Sequence, residues 1–218
     1  MTAADRNMAK TNTVTRLQRV TSAARTLLSA LAGRAVAVRD LEVIERDVAA
    51  PIPGARRDPD LIYRPCTTDD ETAFRGIGPQ WRALSRHFKA RLDRGHMCIG
   101  CFDEGRGVGY IWIATGTEID RTLGLHVRPK RDQVYGFDLF VLPDYRGRAV
   151  GYWLVRSWLD HARRLGKRRA TGIVLSTNRP MLMLTRTAFG FKSVHRMRAV
   201  QLAGRFGVVV RGRQEGLT

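Results

Sequence analysis

Residues 140–155, "FVLPDYRGRAVGYWLV", constrain the fold more than any other stretch of the chain. An apolar run from Phe140 to Leu142 enters a turn containing Pro143, Arg146, Gly147 and Arg148, and an amphipathic helix to about Leu165 follows at once. A strand that passes through a tight turn straight into a helix is a building unit of sheets covered by helices. The turn also has a chemical property. The first N–H groups of a helix have no partner inside it, and they lie at the positive end of its dipole. Small residues at Gly147, Ala149 and Gly151 leave those N–H groups approachable by a phosphate, and Arg146 and Arg148 can add charge. Two familiar phosphate loops are excluded by the letters: neither G-x-x-x-x-G-K-[ST] nor G-x-G-x-x-G occurs here.

The rest of the chain supplies the sheet and its covering helices. With 218 residues, one domain and an appendage is the expected organisation. Apolar positions Val14, Leu17, Val20, Ala24, Leu28 and Leu31 recur at threes and fours and predict a basic amphipathic helix ending near Gly33. "AVAVRDLEVIERDV" then reads as strand, and "AAPIPGARRDPD" (49–60) as a Pro/Gly linker. The main domain is therefore expected over 61–218, with 1–60 outside it. Within it, "LIYRPCT" reads as a strand, and Thr67 or Thr68 ahead of acidic residues reads as a helix start. A helix is predicted over Gln80–Leu92, closed by Gly95, then a hairpin from "HMCIGCFDE" and "VGYIWIATGTEI". Residues 120–131 read as a loop and "QVYGFDLFVL" as the strand before the opening turn. "RATGIVLS" is a strand, "RPMLMLTRTAF" a helix, and "GFKSVHRMRAVQLA" and "RFGVVVRGR" are final strands. This order predicts an α/β chain with an α+β mixed sheet.

Charge narrows the partners. Formal net charge is +18, with 33 Arg and 5 Lys, but residues 1–60 carry +3, 61–120 zero and 121–218 +15. The excess sits in the half holding the phosphate-like turn, where it attracts phosphates, anionic lipid or an acidic protein. No helix-turn-helix, zinc finger or RNA-binding aromatic motif accompanies it, so specific nucleic-acid recognition is not expected. Cys98 and Cys101 form a C-x-x-C, but the spacing puts them on opposite faces of a strand and no second Cys or His pair lies nearby. No metal is expected. With no secretory signal and no apolar run of membrane-spanning length, a reduced, cytoplasmic protein is expected.

"VLPDYRGRAVG" resembles the V-x-P-x-[YF]-[RQ]-G-x-G-x-G core of the GCN5-related N-acetyltransferase (GNAT) superfamily. "STNRPMLMLTRTAFGFKSV" and the hairpin "CFDEGRGVGYIWIA" are similar to that family's downstream and upstream segments, so the resemblance covers about 61–203. It implies a GNAT-like acyl-CoA N-acyltransferase fold, here with an N-terminal helical extension. It also implies acetyl-CoA or another acyl-CoA as co-substrate and a small-molecule or peptide amine as acceptor. Phe140 and Val141 would bind the pantetheine arm, and Arg146, Gly147, Arg148, Ala149, Val150 and Gly151 the pyrophosphate. Asn178 would lie beside the cofactor. Two positions depart from the pattern. Ala149 stands where the family has glycine, and Arg186 stands where many members carry a thiolate-protonating Tyr. A water, Arg186 or another side chain must then serve; arginine is a poor proton donor, but Arg186 can stabilise a thiolate.

Amine attack on a thioester needs a base, and Asp138 is the only acid in "YGFDLFVL"; the alternative is a strand Asp paired with one of the many Arg side chains. Strand alternation places it on one face with Gly136 and Phe140, with Tyr135 on the other. Of the scattered histidines, His126 sits in the loop before the central strand, where it reads as a solvated loop residue, with reach to an acceptor pocket as the alternative. Two other readings stand beside this one. An N-acyl amino acid synthase-like enzyme would take its acyl group from an acidic acyl carrier protein, and a non-catalytic GNAT-like module would bind by charge alone. The N-terminal helix is a candidate contact for a second copy of the chain.

Overall fold

The structure, a computed structural model, describes residues 36–77, 80–120, 125–202 and 206–211. The helix expected over 14–31 lies outside them. Among the described residues there are ten strands: β1 (Val36–Asp47), β2 (Ile62–Pro65), β3 (Met97–Asp103), β4 (Arg106–Ala114), β5 (Glu118–Asp120), β6 (Leu125–Val127), β7 (Gln133–Val141), β8 (Arg169–Leu175), β9 (Lys192–Leu202) and β10 (Phe206–Arg211). The helices are α1 (Gln80–Asp93), α2 (Val150–Arg164) and α3 (Arg179–Met183). Eight strands form one sheet in the order β10-β9-β1-β8-β7-β4-β3-β2, in which only β7 and β8 run parallel. The mixed sheet expected from the sequence is therefore present.

Two expectations change. First, β1 is no appendage: it lies between β8 and β9 and pairs with both. The boundary at 61 thus gives way to a sheet that starts at Val36. Second, residues 120–131 are not simply a loop, because β5 and β6 form a separate two-stranded ribbon. Thr67 does cap a helix, but a 3-10 segment over Thr68–Phe74, through a reciprocal capping box with Asp70. The helix predicted at 179–189 is α3 continued by a π-helical turn, Leu184–Ala188.

The core fills both faces of the sheet. On one, Tyr110 packs edge-on to Phe74 (5.7 Å between centroids) and Trp112 edge-on to Phe88 of α1 (5.2 Å). On the other, α2 sets Leu154, Val155, Trp158 and Leu159, all 1% exposed or less, against the sheet. The period of these apolar positions is the reason the segment is helical. The Trp158 ring lies flat on Gly136, where an added Cβ would fall 2.6 Å from the indole. Glycine at 136 therefore sets how closely α2 approaches β7.

Candidate active site

The two parallel strands separate. β7 pairs with β8 only from Gln133–Arg169 to Gly136–Gly172. Past that point β8 follows β1, with Ile173, Val174 and Leu175 opposite Val43, Glu42 and Leu41, while β7 follows β4. Residues Phe137–Val141 keep β4 on one side and have no ladder partner from β8 on the other. An open strand edge is a row of donors and acceptors that an extended, amide-bearing ligand can complete.

The same stretch contains a β-bulge. Tyr110 faces Phe140 but Trp112 faces Phe137, so Asp138 and Leu139 together oppose Ile111. Asp138 takes φ +48, the left-handed region, which is uncommon for a residue with a side chain. The bulge corrects the face assignment from strand alternation. Gly136 faces α2, whereas Asp138 reaches Arg91 of α1 and Phe140 stacks on Tyr110, both on the opposite face.

Directly after this edge comes the loop. A 3-10 turn over Pro143–Tyr145 leads to Gly147 at φ +86 and Ala149 at φ +57, the latter serving as N-cap of α2. The first i→i−4 bond of α2 is donated by Trp153 N–H to the Ala149 carbonyl (3.1 Å), so the N–H groups of Val150, Gly151 and Tyr152 precede the ladder. A Cβ on Gly151 would only reach ordinary contact with Leu184 (3.5 Å) and Val141 (3.9 Å). The protein's own packing does not require glycine there, whereas a ligand seated on the helix end would. Arg146 is exposed. Arg148 donates to Asp58 through Nη2 (2.7 Å) and Nε (3.1 Å) and covers the Tyr145 ring (4.9 Å). Hydrogen bonding to Arg148 holds the Asp58 carboxyl below the usual carboxylate range.

Asp58 belongs to the segment that looked like a linker, and the structure makes it a strap along the outside of α2. Tyr152 Oη donates to the Pro53 carbonyl, Trp153 Nε1 to Arg56 (3.3 Å), and Arg163 to Val48 and Ala50 (2.9 and 3.0 Å). Arg46, 5% exposed, caps the Ala50 and Pro51 carbonyls from below (2.6 and 2.7 Å).

On the α1 face, Arg91 joins two carboxylates. Its Nη1 lies 2.7 Å from Asp138 Oδ2, and its Nε 3.3 Å from Glu118 Oε1, in ion-pair range although not aligned as a hydrogen bond. Its guanidinium lies over Phe137 (4.8 Å) and Trp112 (5.2 Å). Glu118 also receives Arg94 (3.1 Å) and His96 Nε2 (2.9 Å). Burial works to raise the Glu118 pKa, but the His96 bond and the two guanidiniums outweigh it and lower it. A cavity of about 180 Å³ opens on this cluster, lined by Arg91, Arg94, Glu118, His87 and His126. His126, on β6, is exposed at the rim of this cavity.

The remaining predicted residues lie at the end of β8. Asn178 is the N-cap of α3, its side chain accepting from Met181 N–H (3.3 Å). Arg186, on the π-helical turn, is ion-paired with Glu42 of β1, which also accepts from Ser193 (2.8 Å). Phe140, Val141 and the loop residues are contiguous with the bulge, whereas Asn178 and Arg186 belong to the chain on the β8 side. Sequence reasoning missed Arg91, Glu118, His96, Asp58 and Glu42. For Arg91 a signal existed: it follows buried Leu84 and Phe88 on the inward stripe of α1, where a cation needs a partner. Cys66, Cys98 and Cys101 are buried free thiols, and the described residues contain no group of three His, Cys, Asp or Glu arranged around a metal.

No curated protein sequence matches the chain. Among solved structures, a Drosophila protein matches with TM-score 0.55 at 16% identity, over 77% of this chain and 52% of its own. A putative GNAT-family acetyltransferase from Novosphingobium aromaticivorans matches with TM-score 0.51 at 19% identity, over 81% and 66%. A GCN5-related N-acetyltransferase from Sphaerobacter thermophilus matches with TM-score 0.51 at 19% identity, over 84% and 58%. The chain thus spans about half to two thirds of the length of these proteins, and at such identity they share its fold. The profile of the Acetyltransferase (GNAT) family matches residues 62–191, which include the open strand edge, the bulge, the phosphate-like loop and the π-helical turn. The chain belongs to the GNAT acetyltransferase family.

Proposed function

We propose that the protein transfers an acetyl group from acetyl-CoA to an amine, by direct attack with both substrates bound. The observation that carries this reading is the opening of β7 from β8 at Gly136 and Gly172, leading without a break into the loop and the free end of α2. The pantetheine amides bond to the open edge of Phe140 and Val141. The diphosphate rests on the N–H groups of the loop from Gly147 to Gly151, with Arg146 and Arg148 adding charge. Arg148 exchanges Asp58 for phosphate in that step. Asn178 flanks the cofactor from across the gap.

The acceptor enters through the cavity beside α1. Its nitrogen attacks the thioester carbonyl and forms a C–N bond, and Asp138 takes the proton that the nitrogen loses. Collapse of the adduct breaks the C–S bond. The departing thiolate is stabilised by the Arg186 guanidinium, which Glu42 orients, and takes its proton from solvent. Placement of the two reactants supplies much of the rate.

Calorimetry and thermal unfolding with CoA and acetyl-CoA test the donor side. A ligand that binds only the native state raises the melting temperature, by about 2.7 kcal/mol of stabilisation at a hundred times its Kd. Gly151→Val is expected to remove most of the gain while the fold persists. No shift with either compound refutes the reading, and a response to acyl carrier protein alone moves the donor to that partner. For Asp138, full transfer by Asp138→Asn at saturating substrates ends the base assignment.

A further inference from the structure

The two arginines of the loop differ in what they hold. Arg146 is exposed, whereas Arg148 is tethered. Its Nη2 and Nε both donate to Asp58 Oδ2, at 2.7 and 3.1 Å, and its guanidinium covers the Tyr145 ring at 4.9 Å. Those two donors are the ones a phosphate oxygen would take, because carboxylate and phosphate offer the same kind of acceptor to the same planar fork.

The carboxylate is itself set in place. Asp58 Oδ1 accepts from the Asp60 N–H (3.2 Å), which leaves Oδ2 for Arg148. The Asp58 carbonyl accepts from the Leu61 N–H (3.4 Å), at the entry to β2. A short side chain bonded to the backbone two residues on is held by its own turn. Just before Asp58 the strap is tied to α2. Trp153 Nε1 donates to the Arg56 carbonyl (3.3 Å), and the Arg57 guanidinium lies over Tyr63 (5.1 Å) and Trp153 (5.8 Å). Asp58 is therefore presented to Arg148 by the chain on both sides of it.

We propose that Asp58 is an internal competitor for the donor: its carboxylate stands in for a phosphate oxygen at Arg148, and the strap thereby sets how tightly the diphosphate binds. The inference rests on the donor reading above and adds an affinity-determining residue to it. When the diphosphate arrives, Arg148 moves both donors from Asp58 to a phosphate oxygen. The Asp58 carboxylate is left to water beside a second anion, so the exchange opposes binding twice. The strap stays anchored at Pro53 and Arg56, and the pair re-forms as CoA departs. Asp58 weakens donor binding and favours release of the spent cofactor.

Titration calorimetry with CoA on the full chain, at fixed ionic strength, tests this through Asp58→Asn, Arg148→Met and the double variant. Asparagine keeps an acceptor for the Asp60 N–H and removes the charge, so the turn persists. Asp58→Asn is expected to tighten CoA by about two- to fivefold, the range of an exposed ion pair. Arg148→Met is expected to weaken CoA, and in that background Asp58→Asn should add little, because no fork is left to contest. Unchanged or weaker CoA affinity in Asp58→Asn overturns the proposal. So does a gain that persists in full without Arg148, which is general attraction of an anion to a more positive protein. Either result leaves the donor reading standing, whereas failure of the wild type to bind CoA removes both.

Discussion

Replacing Arg91 by Met is the perturbation whose outcome follows most directly from the geometry. The side chain is 9% exposed, with Glu118 (2%) at 3.3 Å and Asp138 (28%) at 2.7 Å. Methionine retains an apolar stem against Trp112 and Phe137 but removes the charge. Glu118 keeps Arg94 and His96, whereas Asp138 loses the cation that faces it. Removing one partner of a buried ion pair costs about 3–5 kcal/mol, because the other charge stays desolvated. Asp138 is partly open to water and Glu118 remains paired, so the lower half of that range applies, and two lost cation–π contacts add about 0.5–1 kcal/mol each. The expected total is about 4–6 kcal/mol, a large part of the roughly 5–15 kcal/mol that holds a domain folded. At about 2–4 °C per kcal/mol for a chain of this size, the melting temperature should fall by about 8–24 °C. Urea unfolding measures it. Asp138→Asn leaves Arg91 with Glu118 and should cost about 1–2 kcal/mol. The double variant should be less damaged than the sum by at least about 1 kcal/mol. An Arg91→Met cost under about 1 kcal/mol, or strict additivity, would show that the cluster is not coupled.

Ala149→Gly should be neutral to stabilising by up to about 1 kcal/mol, because relief of a left-handed alanine exceeds the entropy that glycine adds to the unfolded chain. Ala149→Val should destabilise, and unfolding free energies of both variants check the pair. Gly136→Ala drives a methyl toward the Trp158 indole and should cost about 1–3 kcal/mol by overpacking, with CoA affinity falling as α2 shifts. For Glu118, the folded pKa lies below its ordinary 4.5. Its stabilisation is complete above that ordinary value and is lost as pH falls through the folded one. Glu118→Gln should therefore flatten the acid limb of the stability curve. A fragment beginning at residue 61, although it contains the whole family match, should fail to give a cooperative unfolding transition, because β8 and β9 lose the strand between them.

Much of the candidate site around 140–155 was legible in residues close in sequence. The strand, turn and helix of 140–155 all follow from local letters, and so does the order of the elements from 61 onward. What escaped depended on distant partners. The 49–60 segment has the composition of a linker, and it is a strap because Tyr152, Trp153 and Arg163, about a hundred residues later, donate to its carbonyls. Strand alternation put Asp138 with Gly136, but the bulge is set by register against β4, which one strand's letters do not carry. β1 was recognisable as a strand, yet its place in the sheet depends on residues 169–202.

That last separation bears on how the chain folds during synthesis. Leu41 pairs with Leu175, 134 positions later (175 − 41), and Val43 with His195, later still. At roughly 5–20 residues per second, Leu41 leaves the ribosome about 7–27 s before its partner on β8 exists. Throughout that interval a twelve-residue strand with two unpaired edges is exposed to other nascent chains and to chaperones. Its Asp40, Glu42 and Glu45, which later pair with Arg198, Arg186 and Arg169, also protect it while it waits.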